Sequence, residues 1–423
     1  MLAVSLLFIF VAGLAFLGFI INALFDRLNI TKVLPLMLIG LLVGPVLHIV
    51  PSGAQSTVAT LTPYITAVAI AFILFDVGLN INIFKLGMVL KKATEFTFVL
   101  GIVSGLVLAG VAFTVLHWSV IESLIFGFAL SGPSSAIVPT LMKFVDTSQE
   151  LKTTLVYESV ISDTFQLVVP LLLFEILAKT NITLASVGSL VAGVVVGSIV
   201  LGGGLAFIWL YLLNKFRNYS KEYTWTLTIT IVVATYGIAQ WLDFNGALAI
   251  FTFGIMFANI GGIILKNENL LKERQEGDIS KSFNALMKKY FFFDNIKKVK
   301  DYQKEIEFFT STFFFVYIGL LFNISAISLV LVLVGVAVVV IMVLLRRAAI
   351  PIIKDYLSND AKDNRSMKRI VSFNVARGMS PAIIATLPLA LGISIPGFLD
   401  QIFLIILFSN IASTIGVVYA YRS

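Results

Sequence analysis

ELKTTLVYESVISDTFQLVVPLLLFEILAKT, residues 150–180, carries two carboxylates inside an apolar run long enough to cross a lipid bilayer. Lys152 stands at one end and Lys179 at the other. At 1.5 Å per helical residue, Asp163 falls roughly 16 Å from Lys152 and roughly 24 Å from Lys179. A hydrocarbon core is about 30 Å thick, which puts Asp163 near its middle. An ionisable group at that depth is costly and marks a functional site. The plainer reading is a protonated, hydrogen-bonded structural acid. Glu158 lies closer to the Lys152 face, roughly 9 Å from it.

The rest of the chain is built in the same way. Of its 423 residues 59% are apolar and 13% charged, and its mean hydropathy is +1.00. Soluble domains carry about 25% charged residues. Repeated apolar runs of about twenty residues predict an all-α polytopic membrane protein, and the alternating ten-residue segments of a β-barrel are absent. The chain has no cysteine, which removes disulfides, thiolate metal sites and thiol nucleophiles. There is no Walker-type loop. Neither a cofactor nor an enzymatic reaction is expected. The net charge of +7 is spread loop by loop and is not a nucleic-acid signal. His48 and His117 fall near span ends and read as interfacial residues. No basic segment precedes the first apolar run, which reads as a retained span.

Thirteen spans are expected, at about 2–24, 33–50, 57–79, 95–116, 120–142, 152–178, 183–213, 223–241, 244–265, 305–323, 326–353, 370–391 and 399–421. Of the 30 lysines and arginines, Arg346, Arg347 and Arg377 lie within spans and Lys179 follows an even-numbered one. All the others sit in loops after odd-numbered spans or at the C-terminus, from Arg27, Lys32 and Lys85 through Arg217 and Lys221 to Arg422. The positive-inside rule then puts the N-terminus outside and the C-terminus in the cytoplasm. The expected location is a prokaryotic inner or plasma membrane. The chain reads as one integral membrane unit, 1–423, with repeat-related core spans within 57–178 and 305–421. Residues 266–304 form a cytoplasmic linker. Its patch Tyr290–Phe293, followed by lysines, suits a helix lying on the anionic inner leaflet.

Two spans are interrupted at the depth of Asp163. The fifth contains SGPSSAIVP, 131–139, in which Gly132 and Pro133 disfavour a continuous helix. Ser131, Ser134 and Ser135 can satisfy freed backbone groups or offer oxygen ligands. The twelfth contains NVARGMSPAIIATLP, 374–388, with Gly378 and Pro381. Unwound backbone at that depth must be buried in protein or line a cavity. Paired broken spans in the two halves of a chain point to a transporter's binding site. Arg377 suits the carbonyl ends of a broken helix, where its charge offsets the negative half-dipoles.

Arg347, in the eleventh span, lies roughly 10 Å from the inner face, close to the depth of Glu158. Depth therefore predicts an ion pair between Glu158 and Arg347, or Arg346 if the register slips by one. Asp163 is then the acid left to titrate. A lone carboxylate there takes a proton or a bare monovalent cation, hardly both. Ser159, one turn earlier, and the adjacent Ser162 offer oxygens. Such hard ligands suit Na⁺, Li⁺ or K⁺. Competition at one carboxylate exposed to each side in turn is cation/proton exchange. The alternatives are a channel, or a broken-helix transporter of an organic anion or other solute in which Arg377 meets the anion.

Over nearly its whole length the sequence resembles the monovalent cation:proton antiporter superfamily, closest to its electroneutral sodium/proton exchanger branch. Glu158, Ser159 and Asp163 carry the resemblance in the sixth span. FILFDVGLNINIFKL (72–86), NGALAIFTFGIMFAN (245–259), FFFVYIGLLF (313–322) and Arg377-Gly378 carry it elsewhere. The resemblance implies that Asp163 binds proton or sodium, Ser159 helps coordinate, and Glu158 pairs with Arg347. It also implies inverted repeats with two crossing broken helices, a core domain moving against a dimerisation domain, and a homodimer. Ser162 stands where the family usually has Asn or Asp, which points to one-for-one exchange. Ser131-Gly132-Pro133 stands for the family's Thr-Asp-Pro, so the ligand set has one carboxylate fewer and leaves room for potassium.

Overall fold

In lipid, a segment must satisfy its own backbone N–H and C=O groups, and apolar runs of this length do so as helices. In the computed structural model the described residues are 12–21, 23–24, 33–47, 60–81, 91–143, 145, 147–178, 184–215, 223–272, 292–356 and 361–422. Among them there is no strand. The helices are α1 (Ala12–Ile21), α2 (Val33–Leu41), α3 (Thr62–Asn80), α4 (Lys91–Val111) and α5 (Val120–Ala129). They continue with α6 (Val138–Lys143), α7 (Gln149–Ala178), α8 (Leu184–Lys215), α9 (Thr224–Trp241) and α10 (Gly246–Lys272). The last are α11 (Phe292–Leu321), α12 (Leu329–Ala349), α13 (Ala361–Phe373), α14 (Met379–Leu391) and α15 (Phe398–Arg422). Each of the thirteen expected spans overlies one of these helices, the fifth and twelfth overlying two apiece. Among the described residues six helices are long and apolar enough to cross a membrane, and five shorter apolar ones accompany them.

Three boundaries differ from expectation, one being the end of α10, which runs to Lys272 against an expected 265. α11 begins at Phe292 and α13 at Ala361, well before the apolar spans at 305 and 370. Both extensions are helical but charged, KKVKDYQKEIE in α11 and AKDNRSMKR in α13, and hydropathy ends where charge begins although the helix does not. The 266–304 linker is accordingly helical over 266–272 and 292–304. Residues 273–291, with Tyr290 and Phe291, lie outside the described residues, as do Arg27, Lys32, His48, Lys85, Lys179, Arg217, Lys221 and residues 82–86.

The chain divides into two compact units. The first comprises 1–69, 90–180 and 309–423. In it α4, α5 and α7 pack on one another, α12, α13 and α15 do the same, and α14 packs on α7 and α15. The order helix, broken helix, helix thus occurs twice, as α4, α5/α6, α7 and as α12, α13/α14, α15. Buried hydroxyls tie the start of α3 to this unit, Thr62 with Tyr317 at 2.5 Å and Thr66 with Thr386 at 3.0 Å. The second unit comprises 70–89 and 181–308, with α8, α9 and α10 packed together. Its polar seams include Trp209 Nε1 donating to Thr228 Oγ1 and Asn259 Nδ2 to the Ile81 carbonyl. Outward apolar side chains such as Leu106, Val200, Phe207 and Leu329 are more than half exposed, as lipid-facing positions are.

Candidate ion-binding site

α5 begins cleanly, with a capping box in which Ser119 and Glu122 satisfy each other's backbone N–H groups. It stops at Ala129, and α6 resumes at Val138. Between them Pro133 supplies no N–H and Gly132 faces α7 at close range. A Cβ at Gly132 would come within 2.2 Å of Ser162 Cβ. The second interruption separates α13 from α14 over residues 374–378. A Cβ at Gly378 would come within 2.1 Å of Ser134 Oγ. Pro381 lies in the first turn of α14, where a missing N–H costs no intrahelical bond.

The two interruptions touch. Ser134 N donates to the Ala376 carbonyl at 3.0 Å. Arg377, 2% exposed, donates from Nε and Nη2 to the Leu130 carbonyl and from Nη1 to the Val375 carbonyl. Those acceptors are at the C-terminal ends of α5 and α13, so the guanidinium lies where the helix dipoles are negative. Asn410 of α15 donates to the carbonyl of Arg377 at 2.7 Å. Replacing either glycine by alanine forces a side chain into backbone-fixed neighbours. Gly132→Ala and Gly378→Ala are each expected to cost about 1–3 kcal/mol of stability. Thermal unfolding of the solubilised protein checks this, and a wild-type melting temperature in both would mean the crossing is looser than this geometry requires.

Asp163 projects from α7 onto the opposite, N-terminal sides of the same breaks and is 4% exposed. Ser135 donates to Oδ2 from both N (2.7 Å) and Oγ. Ser380, in the first turn of α14, donates from Oγ to Oδ1 at 2.9 Å. Gln166 Nε2 stands 3.5 Å from Oδ1. Neutral dipoles thus solvate the carboxylate in place of water, beside the positive end of α14. Ser159 Oγ donates to the Val156 carbonyl within α7, and Ser162 packs on Gly132. Ser131 Oγ is buried without a partner among the described residues. Ser134 Oγ accepts from Ala136 N. Of the serines singled out from sequence, Ser135 meets Asp163; Ser380 and Gln166 were not singled out. Each had a weak signal, a hydroxyl just after a break and a polar residue one turn from the acid.

Glu158 is held by Arg346, not Arg347. The pair is bidentate, Nη1 to Oε1 at 2.6 Å and Nη2 to Oε2 at 2.8 Å, and both side chains are almost fully buried. Arg346 Nε also donates to the Val371 carbonyl, and its guanidinium lies 5.9 Å from the Phe96 ring centroid. Arg347 is exposed. One residue turns a helix by about 100°, so neighbours at nearly equal depth face different surroundings. Depth alone had favoured Arg347.

This architecture is shared with known proteins. The model of the family described as "Sodium/hydrogen exchanger, transmembrane" matches residues 9–420. Among solved structures, the chain is similar to the sodium proton antiporter MjNhaP1 from Methanocaldococcus jannaschii at pH 8, with a TM-score of 0.70 and 17% identity over 99% of this chain and 98% of that one. An electron-microscopy structure of the same antiporter gives 0.64 and 18%, over 98% and 94%. At such identity the structures speak for the fold, and the family match over nearly the whole chain decides the rest: the protein belongs to the sodium/hydrogen exchanger family.

Proposed function

We propose that this protein exchanges one proton for one monovalent cation, Na⁺, Li⁺ or K⁺, by binding either at Asp163 and exposing that site to each side of the membrane in turn. The observation that carries the reading is a buried carboxylate solvated by neutral donors at the junction of two broken helices. Glu158 and Arg346 offset each other. A bound proton or a bound monovalent cation therefore adds the same single charge. A swap between them moves no net charge, so membrane voltage, worth about 2.3 kcal/mol per charge per 100 mV, does not drive it. Asp163 carries the exchange chemistry. Ser135 and Ser131 contribute oxygens from the first break, and Ser159, Ser162 and Ser134 line or support the site. The anion-transport alternative is disfavoured because the guanidinium of Arg377 is engaged by backbone carbonyls.

The same reading takes the repeat-related spans within 57–178 and 305–421 as the moving core of a homodimer in a prokaryotic plasma membrane, with its C-terminus in the cytoplasm. The test is a pH jump in proteoliposomes with Na⁺, Li⁺, K⁺ or Rb⁺ outside, with and without a voltage clamp set by valinomycin and potassium. Cation-dependent proton flux indifferent to the clamp is the expected result. Flux that follows voltage would remove the one-for-one stoichiometry, and single-channel currents would remove the antiport reading.

A further inference from the structure

We infer that Gln166 is a ligand of the transported cation and sets which monovalent cations the site accepts. The inference rests on the antiport reading above and adds a selectivity residue to it. Gln166 is fully buried in α7, one helical turn after Asp163. Its Nε2 is 3.5 Å from Asp163 Oδ1, at the outer limit of a hydrogen bond. Its Oε1 is buried with no hydrogen-bond partner among the described residues. A buried amide oxygen without a partner is uncommon and calls for a reason. An amide carbonyl is also a hard, neutral oxygen of the kind alkali cations take.

The two ends of this amide fit the two states of the carboxylate. Toward the carboxylate alone the NH₂ end donates. The terminal torsion of Gln is broad and roughly two-fold, so a half-turn presents Oε1 instead. Oε1 and Asp163 Oδ1 then face one cation, with the oxygens of Ser380 and Ser135 already at the carboxylate. The first break leaves no room to supply this ligand, because Gly132 lies against Ser162 where any side chain would collide. A neutral ligand also keeps the charge count of a one-for-one swap, which a second carboxylate would change. A cation needs several oxygens and a proton only one, so loss of Oε1 weakens the cation more than the proton.

The experiment measures half-saturating Li⁺, Na⁺ and K⁺ concentrations for proton exchange in proteoliposomes of the wild type and of Gln166→Met, Gln166→Asn and Gln166→Glu. Gln166→Met keeps the volume and removes the oxygen. It is expected to raise the half-saturating concentrations about tenfold or more while moving the proton dependence far less. Gln166→Asn withdraws the oxygen by one methylene and is expected to shift preference from Li⁺ towards K⁺. Gln166→Glu restores an oxygen at the same reach and is expected to recover much of the cation affinity. Cation-induced thermal stabilisation of the solubilised variants gives the same ranking where transport is too slow to measure. Wild-type half-saturation and an unchanged Li⁺ to K⁺ ratio in both Met and Asn variants would overturn the inference. So would a loss of maximal rate or of folding alone, with cation ratios intact. Absence of cation-dependent flux in the wild type itself would instead remove the antiport reading.

Discussion

Asp163→Asn yields a protein that still folds in the membrane but exchanges no cation for protons. The substitution keeps the shape of the side chain and removes the group on which, in the proposed mechanism, proton and cation compete. Its fold should survive because the shell can adjust. With the amide oxygen at the Oδ2 position, Ser135 keeps its acceptor for both N and Oγ. The amide nitrogen then takes the Oδ1 position, facing Ser380 Oγ and Gln166. A hydroxyl turns to accept, and the Gln amide does so by a half-rotation. The stability cost is therefore at the low end for a buried hydrogen-bond rearrangement, about 1 kcal/mol. Transport, by contrast, falls to the background leak of empty liposomes, because Asn neither binds a proton nor offers a full negative charge to a cation. The measurement is paired: dye-reported proton flux after a cation pulse, and thermal unfolding of the same preparation. Persistent sodium- or potassium-driven flux at a tenth of the wild-type rate or more would move the exchange chemistry away from Asp163.

What the chain disclosed, and what it withheld, follows from the dimension each clue measures. Hydropathy and loop charge measure depth, and depth was enough to align Asp163 with both interrupted spans and to set Glu158 level with the paired arginines. Pro133 with Gly132, and Pro381 with Gly378, marked where helices must stop, because those residues act on their own backbone. Angle around a helix was not measured. Arg346 and Arg347 differ by about 1.5 Å in depth but about 100° in direction, and only the packing of α12 turns Arg346 inward. Ser380 and Gln166 stayed unremarked for a related reason. Ser380 meets Asp163 only because α14 packs against α7, a contact between residues 217 positions apart, and Gln166, one turn from the acid on α7 itself, is marked only by a buried Oε1 without a hydrogen-bond partner among the described residues. The charged extensions of α11 and α13 escaped a reading based on apolar runs, since helices there continue past the lipid-compatible stretch.

Removing either half of the buried ion pair should destabilise the protein more than any other single side-chain deletion considered, while removing the neighbouring arginine should do almost nothing. Glu158 and Arg346 are 1% and 3% exposed, joined by two short bonds, and the guanidinium's third donor site is taken by Val371 O. Alanine at either position strands an opposite charge in a region without water, at a cost of about 3–5 kcal/mol. Arg347→Ala removes an exposed side chain and should stay within about 0.5 kcal/mol of the wild type. The double variant Glu158→Ala with Arg346→Ala strands neither charge, so its loss should fall well short of the sum of the singles. Thermal or denaturant unfolding in one detergent at one pH measures all four proteins. Simple additivity in the cycle, or an Arg347→Ala loss as large as that of Arg346→Ala, would mean that the pair is not formed as described. The pair also bears on the proposed exchange, in which Glu158 is held by Arg346 and the proton or cation binds at Asp163. Glu158→Ala should therefore lower the amount of folded protein before it alters which cations the surviving fraction carries.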